Sequence, residues 1–577
     1  MRKSKNSNGV ITVLVSLLLV GILSLGTVVL EAGRFQAAKT QLAEANASAA
    51  TSMIAAYDSD LYARYGLLAI DTERFTSERC MEYLNFNSDL SVGYKGNRVS
   101  RMYTIESVEL EGMYNLTYPS VLKRQILSRA KYHVIPQDYE LNVYTMNAFF
   151  ADFQNKCQYV SDKLAPVANG TASVGTMSDI DGGMLSAINA LYTTFLNNER
   201  SDSNCDITLS SATVGILPST TGTFESSVPT EDLTDINNAL TDATTVLGGD
   251  GTLLSYGNGT VVSETDVSIN VSLVSDIQNQ MKDISSAGDI SQSGKDVAIK
   301  ARRLAQGLNT AINMLNDDAE GNLLLNSYVI EYFSNRNNRV QTYSAPAKGT
   351  SINGTMENAS FASACVEYVF GGLASEKENQ ESACDYLTAI RLINNLYSAM
   401  TDSATFNENN LYSVIAHVVW ANYESCIDVE LMAKYNVSVP FNKNRMILPV
   451  SNPQNVASAF ASKDVVNAMR MLGYHDGANF NVPGAYLFSY EDSLAFALWF
   501  VPNTNKMLRI ADLIQLEMRY KEQHVENTAA QFLMSNQNTY CRVKSVSKFS
   551  SLLPVISIDS NSGVKGMTFQ SIKYAGY

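Results

Sequence analysis

The chain has 577 residues, with 42 Lys and Arg against 57 Asp and Glu, a formal net charge of −15. So acidic a chain lacks the basic footprint that neutralises phosphates, which argues against nucleic acid as a partner. Hydrophobic residues make up 45%, enough to build buried cores, so global disorder is excluded. Four His and seven Cys exclude a disulfide-dense scaffold and a multi-zinc protein.

Arg2, Lys3 and Lys5 precede an uncharged run from Val10 to Leu30, through Leu14, Leu18, Ile22 and Leu25. As a helix this run is about 31 Å long, which matches the hydrocarbon thickness of a bilayer. Glu31 and Arg34 end it. The bases on the short side predict a cytoplasmic leader over 1–9, a transmembrane helix over 10–30, and the bulk of the chain outside the cell membrane. A signal peptide would have a shorter apolar region and a small-x-small cleavage site, so the expectation is an uncleaved, single-pass anchor.

No Pro interrupts the chain from Glu31 to Tyr57, and Ala is abundant there. Phe35, Ala38, Leu42, Ala45, Ala49, Ser52 and Ala56 recur at 3–4 spacing and predict a packing stripe on an exterior Ala-rich helix over 31–66. Two partners for the stripe stay open: the chain's own folded domain, or another chain in an oligomer. Gly66 is the expected stop, since Gly accepts the left-handed C-cap.

An α+β region is expected over 67–165. Ser107–Leu116 alternates with Val108 and Leu110 on one side and reads as a strand. Pro119 opens a helix over 120–131. A further helix covers 147–164 and stops ahead of Pro166. From 166 to 260 the composition shifts: eleven acids, one base (Arg200) and four aromatics. Its Gly-rich turns predict an exposed, acidic, flexible insert. A helical region spans 261–350, with Val297, Ala301, Leu304, Leu308, Ile312 and Leu315 on one face of a helix over 296–315, and another helix over 323–335. The remainder, 351–577, reads as helix-rich. Leu387, Ile390, Ile393, Tyr397 and Met400 share a face; Asn452-Pro453 opens a helix ending at Gly473; Met507, Ile510, Ile514 and Met518 mark the last long helix. Residues 439–449 and 552–558 look extended. Strands and helices do not alternate, so a parallel α/β sheet is not expected.

The search for chemistry returns little. No His-x-x-x-His, Cys-x-x-Cys or Gly-x-Ser-x-Gly string occurs. Gly288 to Gly294-Lys295-Asp296 misses a phosphate loop by one residue and lacks the Ser/Thr, and reads as a turn before a helix. Asp179-x-Asp181-Gly182 and Asn316-x-Asp318-x-Glu320-Gly321 begin like calcium loops, but Ala190 and Ser327 stand where the bidentate Glu belongs. Glu424 and Asp428 sit one helical turn apart and read as a structural pair that meets Arg391. The seven Cys are widely spaced and read as buried thiols or an unassigned set of bridges, with at least one left over. No catalytic residue, metal ligand or cofactor is expected.

The basic leader, Gly-Val-Ile-Thr-Val-Leu-Val-Ser-Leu at 9–17, the uncharged span, Glu31-Ala32-Gly33-Arg34 and the Ala-rich helix together resemble TadE/TadG-like envelope proteins of tight-adherence (Flp) pilus systems. The leader ending in Gly9 is similar to a prepilin leader, although Leu14 stands where pilins carry a glutamate. Tyr57-Asp58-x-Asp60-Leu61-x-x-Arg64-Tyr65-Gly66-Leu67 looks like a clostridial and bacillar family of unknown function with a pseudopilin-like N-terminus. So do Lys123 to Leu127, Val366-Glu367-Tyr368-Val369 with Gly371, Ile390-Arg391-x-x-Asn394, Trp420-x-x-Tyr423-Glu424-Ser425 and Val439-Pro440. The resemblance touches about half the chain and leaves the acidic insert without a counterpart.

What the resemblance implies is a bacterial, non-enzymatic structural or assembly component of a pilus or related secretion apparatus. Its expected partners are the membrane and pilin-like or pilus-assembly proteins. A cell-surface adhesin using the acidic, Ser/Thr-rich insert is the alternative. The expected fold class is α+β and helix-rich: a transmembrane helix continuing outside, a mixed domain, and a mainly helical C-terminal third.

Overall fold

The computed structural model describes residues 8–71, 76–88, 102–133, 143–173, 290–315, 319–337, 364–373, 376–402, 406–443, 487–525, 532–551 and 567–577, with isolated positions between 273 and 280 and between 455 and 471. They divide into two units: Met1–Val121 with Met534–Tyr577, and Leu122–Leu533. The chain is helix-rich with an antiparallel sheet, an α+β composition.

Unit 1 is built on helix α1 (Asn8–Ala55), 48 residues without a break. Helices α2 (Ser59–Tyr65) and α3 (Ser77–Ser88) follow. Its sheet combines β1 (Ile70–Asp71) and β2 (Tyr103–Asn115) with β5 (Gln537–Phe549) and β6 (Thr568–Gly576) from the far end of the chain. Strand β5 is central. It pairs antiparallel with β2 from Tyr103↔Phe549 to Asn115↔Asn538, and on its other edge with β6 and β1. A bulge sits between Ile105 and Ser107. Alternate residues of β5, namely Cys541, Val543, Ser545, Ser547 and Phe549, are buried, as the period of two requires when one face is covered.

The cover is α1. Ala38 and Leu42 pack with Tyr103, Phe549 and Phe569, and the Phe35 ring lies edge-on to Phe549 and Phe569 at 5.3 and 5.5 Å. Ala45, Ala49, Ala50, Met53 and Ile54 pack with Ile70, Cys80, Leu84, Cys541 and Val543. Alanine fits here because its single methyl lets the helix backbone lie close to the strands, and close packing is what interiors require. Of the two partners left open for the stripe, the chain's own domain is the one it packs on: Ala38, Leu42 and Ala49 are fully buried and Ala45 nearly so. Ala56 lies beyond the helix, half-buried.

Nor is 31–66 one helix. The chain breaks after Ala55, and the Asp58 carboxylate restarts it by accepting from the backbone N–H groups of Asp60 and Leu61, both at 3.0 Å. Gly66 then ends α2 at φ 66°, a left-handed cap as expected. The 57–67 motif is thus a turn device: an N-cap, buried Leu61, Tyr65 and Leu67, and a left-handed Gly.

Unit 2 is chiefly helical. α4 (Pro119–His133) leads out of unit 1, followed by α5 (Val143–Ala168), α6 (Ile290–Leu315), α7 (Ala319–Tyr332), α8 (Cys365–Gly371), α9 (Glu376–Asp402), α10 (Leu411–Tyr435), α11 (Tyr490–Ala497) and α12 (Asn503–Val525). β3 (Val439–Pro440) and β4 (Leu487–Phe488) make a short antiparallel ribbon. Rings from α5, the ribbon and α11 form one aromatic core, with Phe149–Phe441 at 4.5 Å and Phe441–Phe488 at 4.9 Å.

Two further expectations are corrected. α5 runs through Pro166: a proline this near the end removes a single intrahelical bond, and the Pro166 carbonyl accepts from Thr171 and Ala172. Gly294 and Lys295 lie inside α6, not in a turn before it, and a Cβ on Gly294 would stand 2.0 Å from Ile415. The C-terminal third carries helices α8 to α12 and ends in β5 and β6, two strands that the sequence reading did not name. The insert from 174 to 260, both calcium-like strings apart from Glu320 and Gly321, most of 452–473, residues 444–449 and 552–558, and Cys205 lie outside the described residues.

Candidate functional site

Helix α1 divides at Glu31. Below it, Ile11 to Leu30 are exposed on every side, with Leu14, Leu18, Ile22, Leu25 and Leu30 each more than half accessible. Val10 belongs to the same helix. By length and composition this stretch suffices to cross a membrane. Its hydroxyls are satisfied within the helix: Ser16 donates to the Thr12 carbonyl at 2.8 Å, Ser24 to Val20 at 2.7 Å and Thr27 to Ser24 at 2.7 Å. These three donors therefore need no water, as an apolar medium demands. Above it, Glu31 is buried and pairs with Arg34 at 3.2 Å. Arg34 also donates to the Ser550 carbonyl at 3.4 Å and lies over the Phe549 ring. The first charges after the apolar stretch therefore clamp helix to sheet.

A second constellation is buried in unit 2. Arg391 of α9 donates through Nε to Asp428 Oδ2 of α10 at 2.9 Å, and through Nη1 and Nη2 to the carbonyls of Phe441 and Pro440 at 3.2 and 2.9 Å. Lys443 donates to both Asp428 oxygens, at 2.7 and 2.8 Å, and to Glu424 Oε1 at 2.7 Å. Trp420 Nε1 donates to Glu424 Oε2 at 3.0 Å, and Asn395 donates to Asp428 Oδ2 at 3.0 Å. Two cations face two carboxylates, so the charges cancel. Burial alone would raise the Asp428 carboxyl, but Arg391 and Lys443 hold it below its ordinary value. The expected contact of Arg391 with the Glu424/Asp428 face is present. Lys443 and Asn395 are members that sequence reading missed: Lys443 comes from beyond the ribbon, and no local spacing announces it. The arrangement locks residues 439–443 onto α9 and α10. With every charge paired inside protein, it offers no exposed acid or base for chemistry.

A third cluster surrounds Glu367 of α8. Its Oε1 accepts from the Arg336 backbone at 3.0 Å and from the Tyr490 hydroxyl at 2.9 Å, while Oε2 has no hydrogen-bond partner. Burial pushes its pKa up to about 7. Asp385, also buried, is raised well above its ordinary value for the same reason, with Glu381 adding to it. The C-terminus of α8 is held by Arg509, which donates to the carbonyls of Val369 and Phe370, and Gly372 turns the chain at φ 66°. Gly371 is required by contact: a Cβ there would lie 2.4 Å from Asn379. The Val366–Gly371 motif is a packed helix and its cap.

The described thiols Cys80, Cys157, Cys365, Cys384, Cys426 and Cys541 are unbridged, and all but Cys426 are buried. His417 is enclosed, with Nδ1 at 2.7 Å from the Ser413 carbonyl, and burial lowers it to about 4. Glu320 stands exposed in the first turn of α7. Among the described residues, no group of three or more His, Cys, Asp or Glu is placed to hold a metal ion.

Residues 260–548 match a family described as a family of unknown function, DUF5702. No curated protein and no solved structure matches the chain.

Proposed function

The chain belongs to the family of unknown function DUF5702, and on that premise we propose that it is a membrane-anchored, non-enzymatic assembly component of a tight-adherence (Flp) pilus or related secretion apparatus. One observation carries the reading: the same unbroken helix supplies a bilayer-length, exposed apolar stretch and one wall of a folded domain. Such an element fixes a domain to a membrane without a linker. The basic leader sets the N-terminus inside and both units outside. The resemblance to TadE/TadG-like proteins supplies the apparatus.

Since the Ala stripe is covered, lateral packing with pilin-like helices falls to the span itself. Gly21 and Gly26 are open on the helix surface, and small residues of this kind let helices approach closely in lipid. The test is crosslinking in native membranes, followed by mass spectrometry of the captured partners. Pilin, its secretion ATPase or platform proteins are the expected partners, and Gly26→Leu should reduce their yield while the protein stays in the membrane. Capture of cell-wall material alone would transfer the reading to an adhesin.

A further inference from the structure

Helix geometry places one end of the unit 1 sheet at a definite height above the apolar stretch. Arg34 follows Leu30 by four residues, or about 6 Å along a helix. The polar layer of a bilayer is about 5–7 Å deep on each side, so Arg34 lies within it when Val10–Leu30 fills the hydrocarbon. Arg34 touches the carbonyl of Ser550 at 3.4 Å. Ser550 in turn donates its N–H to the Met102 carbonyl at 2.8 Å, and Phe549 donates to Met567 at 2.8 Å. The start of β2, the end of β5 and the start of β6 therefore all reach headgroup level.

The side chains there suit that place. Met567 is 45% exposed although apolar, and Met102 is half-buried. Lys39 is exposed. Its backbone is about 13 Å beyond Leu30 along the helix, but its side chain folds back toward the apolar stretch, the ammonium facing the Phe35 ring at 5.0 Å. Lys548 is half-exposed on the outer face of β5, with a stem long enough to reach down to the headgroups. Glu31 does not offset them, because it is buried and paired with Arg34. Glu106 stands farther up, at the β2 bulge.

We propose that this strand-end face, Met102, Ser550 and Met567 around Arg34, rests on the bilayer and binds anionic lipid headgroups through Lys39 and Lys548. The inference rests on the anchor reading given above. Unit 1 is thereby seated on the membrane, standing upright with β2 rising away from it. Tyr114, eleven residues along β2 from Tyr103, is about 35 Å from the surface.

The test uses the full-length protein in vesicles of phosphatidylcholine and phosphatidylglycerol, with bromines on the lipid as quenchers. Tryptophan reporters are Leu18→Trp, Met567→Trp and Tyr114→Trp, each read against the unsubstituted protein to subtract Trp420 and Trp499. Bromines near the headgroup should remove most of the Met567→Trp emission and leave Tyr114→Trp unchanged. Deep bromines should quench Leu18→Trp. If Leu18→Trp is quenched while Met567→Trp is not, the seating is overturned and the anchor stands. If Leu18→Trp is not quenched, both fall. Quenching at Tyr114→Trp would overturn the upright orientation. Adding Lys39→Glu and Lys548→Glu should weaken Met567→Trp quenching in phosphatidylglycerol; unchanged quenching would overturn the headgroup contact.

Discussion

The side-chain amide of Asn46 donates to the main-chain carbonyl of Ser571 across 2.9 Å, and its second hydrogen goes to Val543 at 3.1 Å. A polar residue on the buried face of α1 thus pins the helix to two neighbouring strands, β5 and β6. Asn46→Leu removes both bonds and leaves two buried carbonyls without this donor. The expected cost is about 2–3 kcal/mol, read as a lower thermal midpoint. A variant as stable as its parent would show that apolar packing alone holds the helix.

Ala49 and Ala37 lie on different faces of α1, about 120° apart around the helix, one fully buried and one exposed. Ala49→Leu forces extra methylenes between helix and sheet, and is expected to destabilise unit 1 by about 1–3 kcal/mol. Ala37→Leu should stay within about 0.5 kcal/mol of the parent. Chemical denaturation of the two variants side by side checks this. Equal effects would contradict the placement of the stripe.

Lys443→Met leaves Asp428 and Glu424 buried with Arg391 as the remaining cation. Breaking one side of a buried network costs about 3–5 kcal/mol, and unit 2 should unfold at correspondingly lower denaturant. The Asp428 carboxyl is held below its ordinary value, so its stabilisation is present above the unfolded range and lost as pH falls through the folded value. The acid limb of unfolding should be shallower in Lys443→Met; an unchanged limb would remove the ionic lock from the account.

Glu367 has the opposite sign. Its folded pKa is raised to about 7 from 4.5, so the folded state prefers the protonated acid, and stability falls as pH rises through that window. Integrated over the shift this is about 3 kcal/mol. Glu367→Gln keeps an acceptor for Arg336 and Tyr490 without the charge. It should match the parent near pH 4 and exceed it at pH 8. Comparing variant and parent at each pH cancels Asp385 and His417. A constant difference would refute the buried acid.

The thiols give a simpler check. Cys426, half-exposed, should react with a maleimide in the native protein, while Cys80, Cys157, Cys384 and Cys541 should wait for unfolding, since burial raises each thiol. Peptide mapping of the labelled sites reads the order, and early labelling of Cys157 would contradict its enclosure.

Much of α1 is legible because an uncharged run and an Ala-rich stretch need no tertiary information to declare a helix. The partner of the stripe is not legible, since a small-residue face looks the same whether a strand or another helix covers it. Strand β2 is visible through Val108 and Leu110, but β5 is not: its buried positions include Ser545 and Ser547, fully enclosed, which mute the alternation. Glu424 and Asp428 could be paired from helical spacing, with Arg391 as their expected contact. Lys443 could not, because the turn that returns it to Glu424 leaves no periodic trace.

Strand β5 has a consequence for how the molecule is made. The middle of the first unit is synthesised near the end of translation, after the whole second unit. Until then the buried face of α1, from Ala38 to Ile54, has only the early elements α3, β1 and β2 to pack on and lacks β5 and β6, although its apolar half is ready for the bilayer from the outset. A chain cut short between β2 and Gln537 keeps its anchor and leaves that face without β5 and β6, its Cys541, Val543, Phe549 and Phe569 partners missing. Exposed apolar surface of this kind attracts chaperones and proteases. Completion of the C-terminal strands thus acts as a proofreading step: every intact first unit certifies that the chain behind it was finished.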